Sequence, residues 1–263
     1  MTERRRGPGA DASETIVSGR RAVLEAVRAG LASRVVVARG ARSTEGLREV
    51  LSAAQEEAVP VRETGRDELD RLAANHRGVV ATVRIPRPIG ERELASWPFG
   101  EQAVVVVLDG ITDPQNLGAA ARSAEAAGVA MLVTRMRRSA DVTDAAIRAS
   151  AGALLHLPHA RVANIARALT RLQESGFEVV GLDERAERTV FEEAPPTGKV
   201  AIALGSEGEG LARLTREACD VLVRLPMRGR VGSLNASASL AAALYAFVLS
   251  GRAVGSGPAQ PAS

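Results

Sequence analysis

Cysteine occurs once in this 263-residue chain, at Cys219, and lysine once, at Lys199. A single thiol excludes an internal disulfide and any cysteine-based zinc site, and His76, His156 and His159 do not stand at metal-ligand spacing. No structural metal is expected. Aromatic rings are scarce too, with one tryptophan, one tyrosine and four phenylalanines, which argues against binding RNA by stacking bases on a row of rings. The unbroken apolar runs are short. Residues 103–108 have the length of a buried strand and 240–249 that of a short helix, and neither approaches the roughly eighteen residues of a membrane span. The opening MTERRR has a basic cluster at 4–6 but no apolar run behind it. Residues 1–13 therefore read as a disordered tail, not a signal peptide, and a cytoplasmic location is expected.

What is present is charge of both signs: 34 basic against 31 acidic residues, a formal net charge of +3. That balance permits a polyanionic partner without requiring one. Nearly all the positive charge is guanidinium, which suits bidentate phosphate contacts, although compositional bias in an Ala- and Arg-rich chain accounts for it equally well. The length suggests two domains. From residue 14 to 84 the pattern alternates helices (19–29, 44–57, 66–75) with strands (34–38, 59–63, 78–83), a small α/β unit. Residues 85–102, with Pro86, Pro88, Pro98 and Gly100, lack periodicity and read as a linker. Beyond it, strands at 103–108, 129–134, 177–182, 200–204 and 221–225 alternate with helices at 117–127, 142–153, 162–175 and 234–249. That alternation predicts a parallel-sheet α/β domain over 103–252, followed by a second disordered tail over 253–263.

In an open parallel sheet, ligands gather beyond the carboxyl ends of strands, which singles out three loops. LDGITDPQNLGAAARSAE places Asn116 at a predicted helix N-cap and Arg122 within that helix; taken singly, a cap and a solvated arginine explain them. ALGSEGEGL packs Gly205, Gly208 and Gly210 into six residues, so its backbone can approach a ligand closely. Its spacing fits neither the ATP-binding phosphate loop nor the dinucleotide fingerprint. Glu207 and Glu209 read equally as surface carboxylates or as partners of a cation. RLPMRGRVGSLNASASLAAALYAF opens a helix with Ser233, Asn235, Ser237 and Ser239, more small polar residues than one cap needs.

Together and in this order, DPQNLGAAARSAEAAGV, LGSEGEGL and LPMRGRVGSLNASASLAAALY resemble the three motifs of the SpoU/TrmH family of RNA ribose 2′-O-methyltransferases, in the SPOUT superfamily. GRRAVLEAVRAG and NHRGVVATV look like the RNA-binding domain that precedes the catalytic domain in longer members, an arrangement similar to the RlmB-type enzymes. The resemblance implies an α/β fold whose C-terminal α/β/α domain carries a trefoil knot, a homodimer packed through the C-terminal helix, S-adenosylmethionine as cofactor, and a guanosine of 23S ribosomal RNA as target. A transfer RNA target, or a catalytically silent RNA-binding or ribosome-assembly protein, are the alternatives.

Carried over position by position, the resemblance makes Arg122 the group that engages the ribose hydroxyl and Asn116 its organiser. Glu207, Ser233 and Asn235 arrange Arg122, cofactor and ribose, while Gly205, Leu225 and Leu234 hold the cofactor. A guanidinium rarely yields a proton, so Arg122 either acts as a base under strong perturbation or stabilises the developing alkoxide, the second being the preferred reading. Leu225 stands where the family more often has Ile, and Ala236 where a β-branched residue is more frequent. Both keep an apolar contact.

Overall fold

The computed structural model describes residues 13–41, 44–230 and 232–250. The tails expected over 1–13 and 253–263 lie outside them, except for Ser13, which begins a strand. The chain gathers into two compact units: one holds residues up to Ile89 with Pro114–Arg122 and Ala140–Leu157, the other Gly90–Asp113, Ser123–Ser139 and Pro158 onward.

The first unit is built on a four-stranded sheet of β1 (Ser13–Ser18), β2 (Ala32–Ala38), β3 (Val61–Thr64) and β4 (Val79–Ile85), in the order β1-β4-β2-β3. β4 runs antiparallel to both β1 and β2, and β3 is parallel to β2. Strand side chains alternate between faces. Val35 and Val37 of β2, with Val79, Ala81 and Val83 of β4, join the main core beneath α1 (Arg20–Arg28) and α2 (Glu45–Glu56). Val36, Ala38 and Val80 face the other way, onto Leu69 of α3 (Arg66–Leu72). Burial on both faces explains why β2 reads as an apolar run. β1 was not expected: its first two residues are exposed and only its last two are buried, so no apolar alternation marks it. α3 stops at Leu72, short of the expected residue 75.

Two later segments complete this unit. Asp144, opening α6 (Asp144–Ala149), accepts hydrogen bonds from the Ser18 backbone amide at 2.8 Å and from its hydroxyl, and Ile147 and Leu155 enter the core. In α5 (Pro114–Ala126), a Cβ on Gly118 would lie 2.4 Å from the Ala146 carbonyl oxygen and 2.5 Å from the Ala149 methyl. Only glycine permits that approach.

The second unit is a six-stranded sheet of β5 (Val104–Asp109), β6 (Met131–Arg135), β7 (His159–Val162), β8 (Glu178–Leu182), β9 (Val200–Gly205) and β10 (Val221–Val223). Its order is β10-β8-β9-β5-β6-β7, and every neighbouring pair is parallel, the α/β architecture expected from the sequence. All residues of the central strands β5 and β9 are buried, as helix cover on both faces demands. The four-residue β7 was not expected although His159–Val162 alternates polar and apolar residues, nor was α8 (Arg213–Glu217), whose five residues make little more than one turn. Residues 85–102 are not featureless: α4 (Glu91–Ala95) holds Glu91, whose carboxylate accepts from Arg167 at 2.9 Å and pairs with Arg171 at 3.2 Å, both on α7 (Ile165–Glu174). Among the described residues, no helix is long and apolar enough to cross a membrane.

Candidate functional site

The carboxyl ends of β8, β9 and β10 open onto a cavity of about 350 Å³, within the size range of small-molecule sites. Leu182, Leu204, Leu225 and Leu234 supply apolar wall, and Asp183, Glu184, Glu207 and Glu209 supply carboxylates. A site lined by apolar side chains and carboxylates suits a ligand with a flat apolar part and a positive charge.

The glycine-rich loop takes its shape from close approach. A Cβ on Gly205 would fall 1.9 Å from the Gly210 carbonyl carbon and 2.2 Å from the Leu211 nitrogen. The loop closes on itself as the Gly210 amide donates to the Ser206 carbonyl at 2.9 Å, with Gly208 and Gly210 at positive φ. Part of the glycine signal is thus the loop's own geometry, which leaves Glu207 and Glu209 exposed at its tip.

Glu207 also reaches across to the third motif: its Oε1 accepts the Ala236 amide at 3.2 Å, at the first residue of α9 (Ala236–Ala243). Asn235 is the N-cap of α9, its Oδ1 accepting from the Ser237 amide at 2.9 Å and the Ser237 hydroxyl at 2.6 Å. α9 therefore starts two residues later than expected, and it runs into a π-helical turn, Leu244–Val248, before the expected end at 249. Ser233 and Ser239, the other polar residues at this helix start, line the cavity.

Beneath the loop lies a buried carboxylate. Asp109, 3% exposed at the end of β5, takes the Arg135 guanidinium, the Thr215 hydroxyl at 2.6 Å and the Ala212 amide at 3.3 Å. It thereby anchors the chain just beyond the glycine loop. Asp109→Ala leaves these donors without their acceptor, and a loss of about 3 kcal/mol is expected, in the range for breaking a buried pair. Denaturant unfolding of the purified variant measures it, and a loss under about 1 kcal/mol would mean that Asp109 anchors nothing.

Asp183, at the end of β8, accepts the Arg185 amide at 2.9 Å and pairs with Arg216 at 3.5 Å. Thiol chemistry has no place here. Burial, reinforced by Asp220, Asp183 and Asp109, pushes the Cys219 thiol up to about 12, so it stays protonated.

Of the residues singled out in the sequence, Gly205, Glu207, Leu225, Ser233, Leu234 and Asn235 line this one cavity. Leu225 does so from a loop, since β10 ends at Val223 and not at the expected residue 225. Asn116 and Arg122 are carried by α5 in the part that clusters with the first unit. α5 begins at Pro114, so Asn116 is its third residue and not its N-cap; proline, with φ preset and no amide to satisfy, occupies the first helical position. Arg122 is exposed. Met227 of the third motif lines the cavity too, as do Asp183, Glu184 and Arg185, which no sequence motif singled out. Asp183, Glu184 and Arg185 directly follow an expected strand, and that position was the available signal.

Residues 103–245 match the SpoU rRNA methylase family, and residues 16–89 match the family described as RNA 2′-O ribose methyltransferase substrate binding. The 23S rRNA (guanosine-2′-O-)-methyltransferase RlmB of Vibrio cholerae is 40% identical over 210 residues, 79% of this chain and 85% of that protein. A tRNA/rRNA methyltransferase of Mycolicibacterium vanbaalenii, itself uncharacterised, is 42% identical over 231 residues, 84% of this chain and 72% of that protein. Among solved structures, the SpoU methyltransferase AviRb of Streptomyces viridochromogenes, in complex with AdoMet, aligns with a TM-score of 0.72 at 28% identity, covering 88% of each chain.

Proposed function

Since the chain belongs to the SpoU rRNA methylase family and is thereby an S-adenosylmethionine-dependent RNA 2′-O-methyltransferase, we propose that its target is the ribose of a guanosine in 23S ribosomal RNA. The observation that carries the site assignment is the convergence of six motif residues from two loops on one cavity beyond three parallel strands. The target rests on the likeness to RlmB of Vibrio cholerae along most of both chains.

The cavity fits the cofactor: leucine side chains offer an apolar slot, the tight glycine loop exposes main chain, and carboxylates stand nearby. In this reading Gly205, Leu225 and Leu234 hold the adenosine part. S-adenosylmethionine, when bound, supplies a methyl group already activated on a sulfonium. The protein's task is to hold the ribose 2′-oxygen in line and to ease loss of its proton as the new O–CH₃ bond forms. We assign Arg122 to the developing alkoxide, Asn116 to orienting Arg122, and Glu207, Ser233 and Asn235 to arranging the reacting groups. Glu207 is suited to this because it ties the glycine loop to the start of α9. The proposal extends to domains at 14–84 and 103–252 joined through 85–102, to a knotted C-terminal region, and to a homodimer packed through the C-terminal helix. An exposed Tyr245 in an otherwise apolar helix supports the dimer.

Incubating the chain with radiolabelled S-adenosylmethionine and separated RNA pools tests the target. Label is expected in 23S ribosomal RNA from cells lacking the gene, and not in transfer RNA. Label confined to transfer RNA would replace the proposed target, and none in any RNA would overturn the activity.

A further inference from the structure

The arginines of the first unit divide by their partners. Arg21 and Arg28 pair with Glu25, Arg62 with Glu68, Arg84 with Glu14, and Arg148 with Asp144. Arg34, Arg48 and Arg122 are exposed and make no ion pair among the described residues; Arg39, Arg66 and Arg77 are likewise exposed and unpaired. These three share one end of the four-stranded sheet. The Ala38 amide donates to the Gly78 carbonyl at 2.9 Å and the Arg39 amide to the Thr64 carbonyl at 2.7 Å. Arg39 thus directly follows β2, Arg66 lies two residues beyond β3, and Arg77 two residues before β4. β3, β2 and β4 are neighbours in the sheet, about 5 Å apart.

The turn that presents Arg77 is held in an unfavourable backbone conformation. Asn75 and Arg77 have φ of 59° and 50°, a left-handed geometry that non-glycine residues adopt at an energetic cost. His76 between them is 4% exposed; its Nδ1 accepts the Gly78 amide at 2.9 Å and its Nε2 donates to Asp70 at 2.9 Å. Arg148 donates to the Ala74 carbonyl at 2.9 Å. The turn, pinned from both sides, thus displays an unpaired guanidinium at a fixed place on the surface. Of the acids near this end, Asp70 is committed to His76 and Glu68 to Arg62 and Thr64, while Glu63 on β3 and Asp67 beside Arg66 are exposed.

We propose that this end of the sheet grips the phosphate backbone of the substrate RNA, with Arg39, Arg66 and Arg77 as the contacts. The proposal rests on the methyltransferase reading. Guanidinium forks on adjacent strands suit successive phosphate oxygens, and such contacts position an RNA without reading its sequence.

The test compares two charge-matched variants of the full chain, with deproteinised 23S ribosomal RNA as the probe. One carries Arg39→Gln, Arg66→Gln and Arg77→Gln; the other carries Arg28→Gln, Arg34→Gln and Arg84→Gln at the opposite end of the sheet, where Arg84 pairs with Glu14. For the first variant, KM for RNA is expected to rise at least tenfold with kcat and cofactor affinity little changed. The slope of log affinity against log salt should fall by about 2 to 3, roughly 0.7–0.9 for each phosphate no longer neutralised. For the second variant the slope should fall by less than about 0.7, short of a single phosphate. Thermal melting of both variants confirms that they remain folded. Equal slopes and affinities in the two, with methyl transfer by the unaltered chain intact, overturn this face and leave the activity standing. No methyl transfer by the unaltered chain overturns the underlying reading, and this face with it.

Discussion

Replacing Arg122 by alanine is expected to slow methyl transfer by about 10²–10³-fold while S-adenosylmethionine still binds, the loss found when a preorganised donor to a developing oxyanion is removed. A sulfonium methyl needs no activation, so the barrier left to the protein is placing the 2′-oxygen and accommodating charge as its proton leaves. A guanidinium is permanently cationic and presents several planar donors, suited to a forming alkoxide and ill suited to accept a proton. Arg122 is exposed on α5 and is not an element of the core, so its removal should leave the fold intact. Arg122→Lys separates geometry from charge. It keeps the positive charge without the planar fork, and a large loss is expected there too. Near-normal turnover by the lysine variant, with cofactor binding preserved, would exclude Arg122 from the reaction in either role. Single-turnover rates together with cofactor titration make the distinction.

Gly205→Ala is expected to weaken cofactor binding more than tenfold and to destabilise the protein by about 1–3 kcal/mol, the usual range for forcing an extra carbon into close-packed structure. The added Cβ would meet the backbone at Gly210 and Leu211 within 1.9–2.2 Å. Backbone cannot swing aside as a flexible side chain can, so the 206–210 loop must move, and that loop forms one wall of the cavity. Both effects should appear together. Calorimetric titration with S-adenosylmethionine and thermal melting of the variant provide the check, and unimpaired binding would show that the loop does not shape the cofactor site.

Much of this architecture is legible because periodicity reports burial. The apolar run at 103–108 could be placed as a strand covered on both faces, and β5 is such a strand. β1 escaped because only its last two residues are buried, and β7 and α8 because four and five residues leave little for a pattern to stand out against. The loops were legible through glycine and small polar residues, but those signals mix two causes. Asn235 marks the site and also caps α9; Gly205 marks it and also lets the loop close. Asp109 was invisible as an anchor, since its partners Arg135, Ala212 and Thr215 are brought to it only by the folded sheet. Asp183 and Glu184 were overlooked because the loop after β8 carries no cluster of glycines or small polar residues.

The proposed target stands or falls on a map of ribose methylation along 23S ribosomal RNA, made in cells with and without the gene. The expected result is a single guanosine whose 2′-O-methyl group disappears with the gene and returns on incubating the unmodified RNA with the chain and S-adenosylmethionine. An unchanged ribose methylation map, or a missing methyl group that sits on a base, would contradict it.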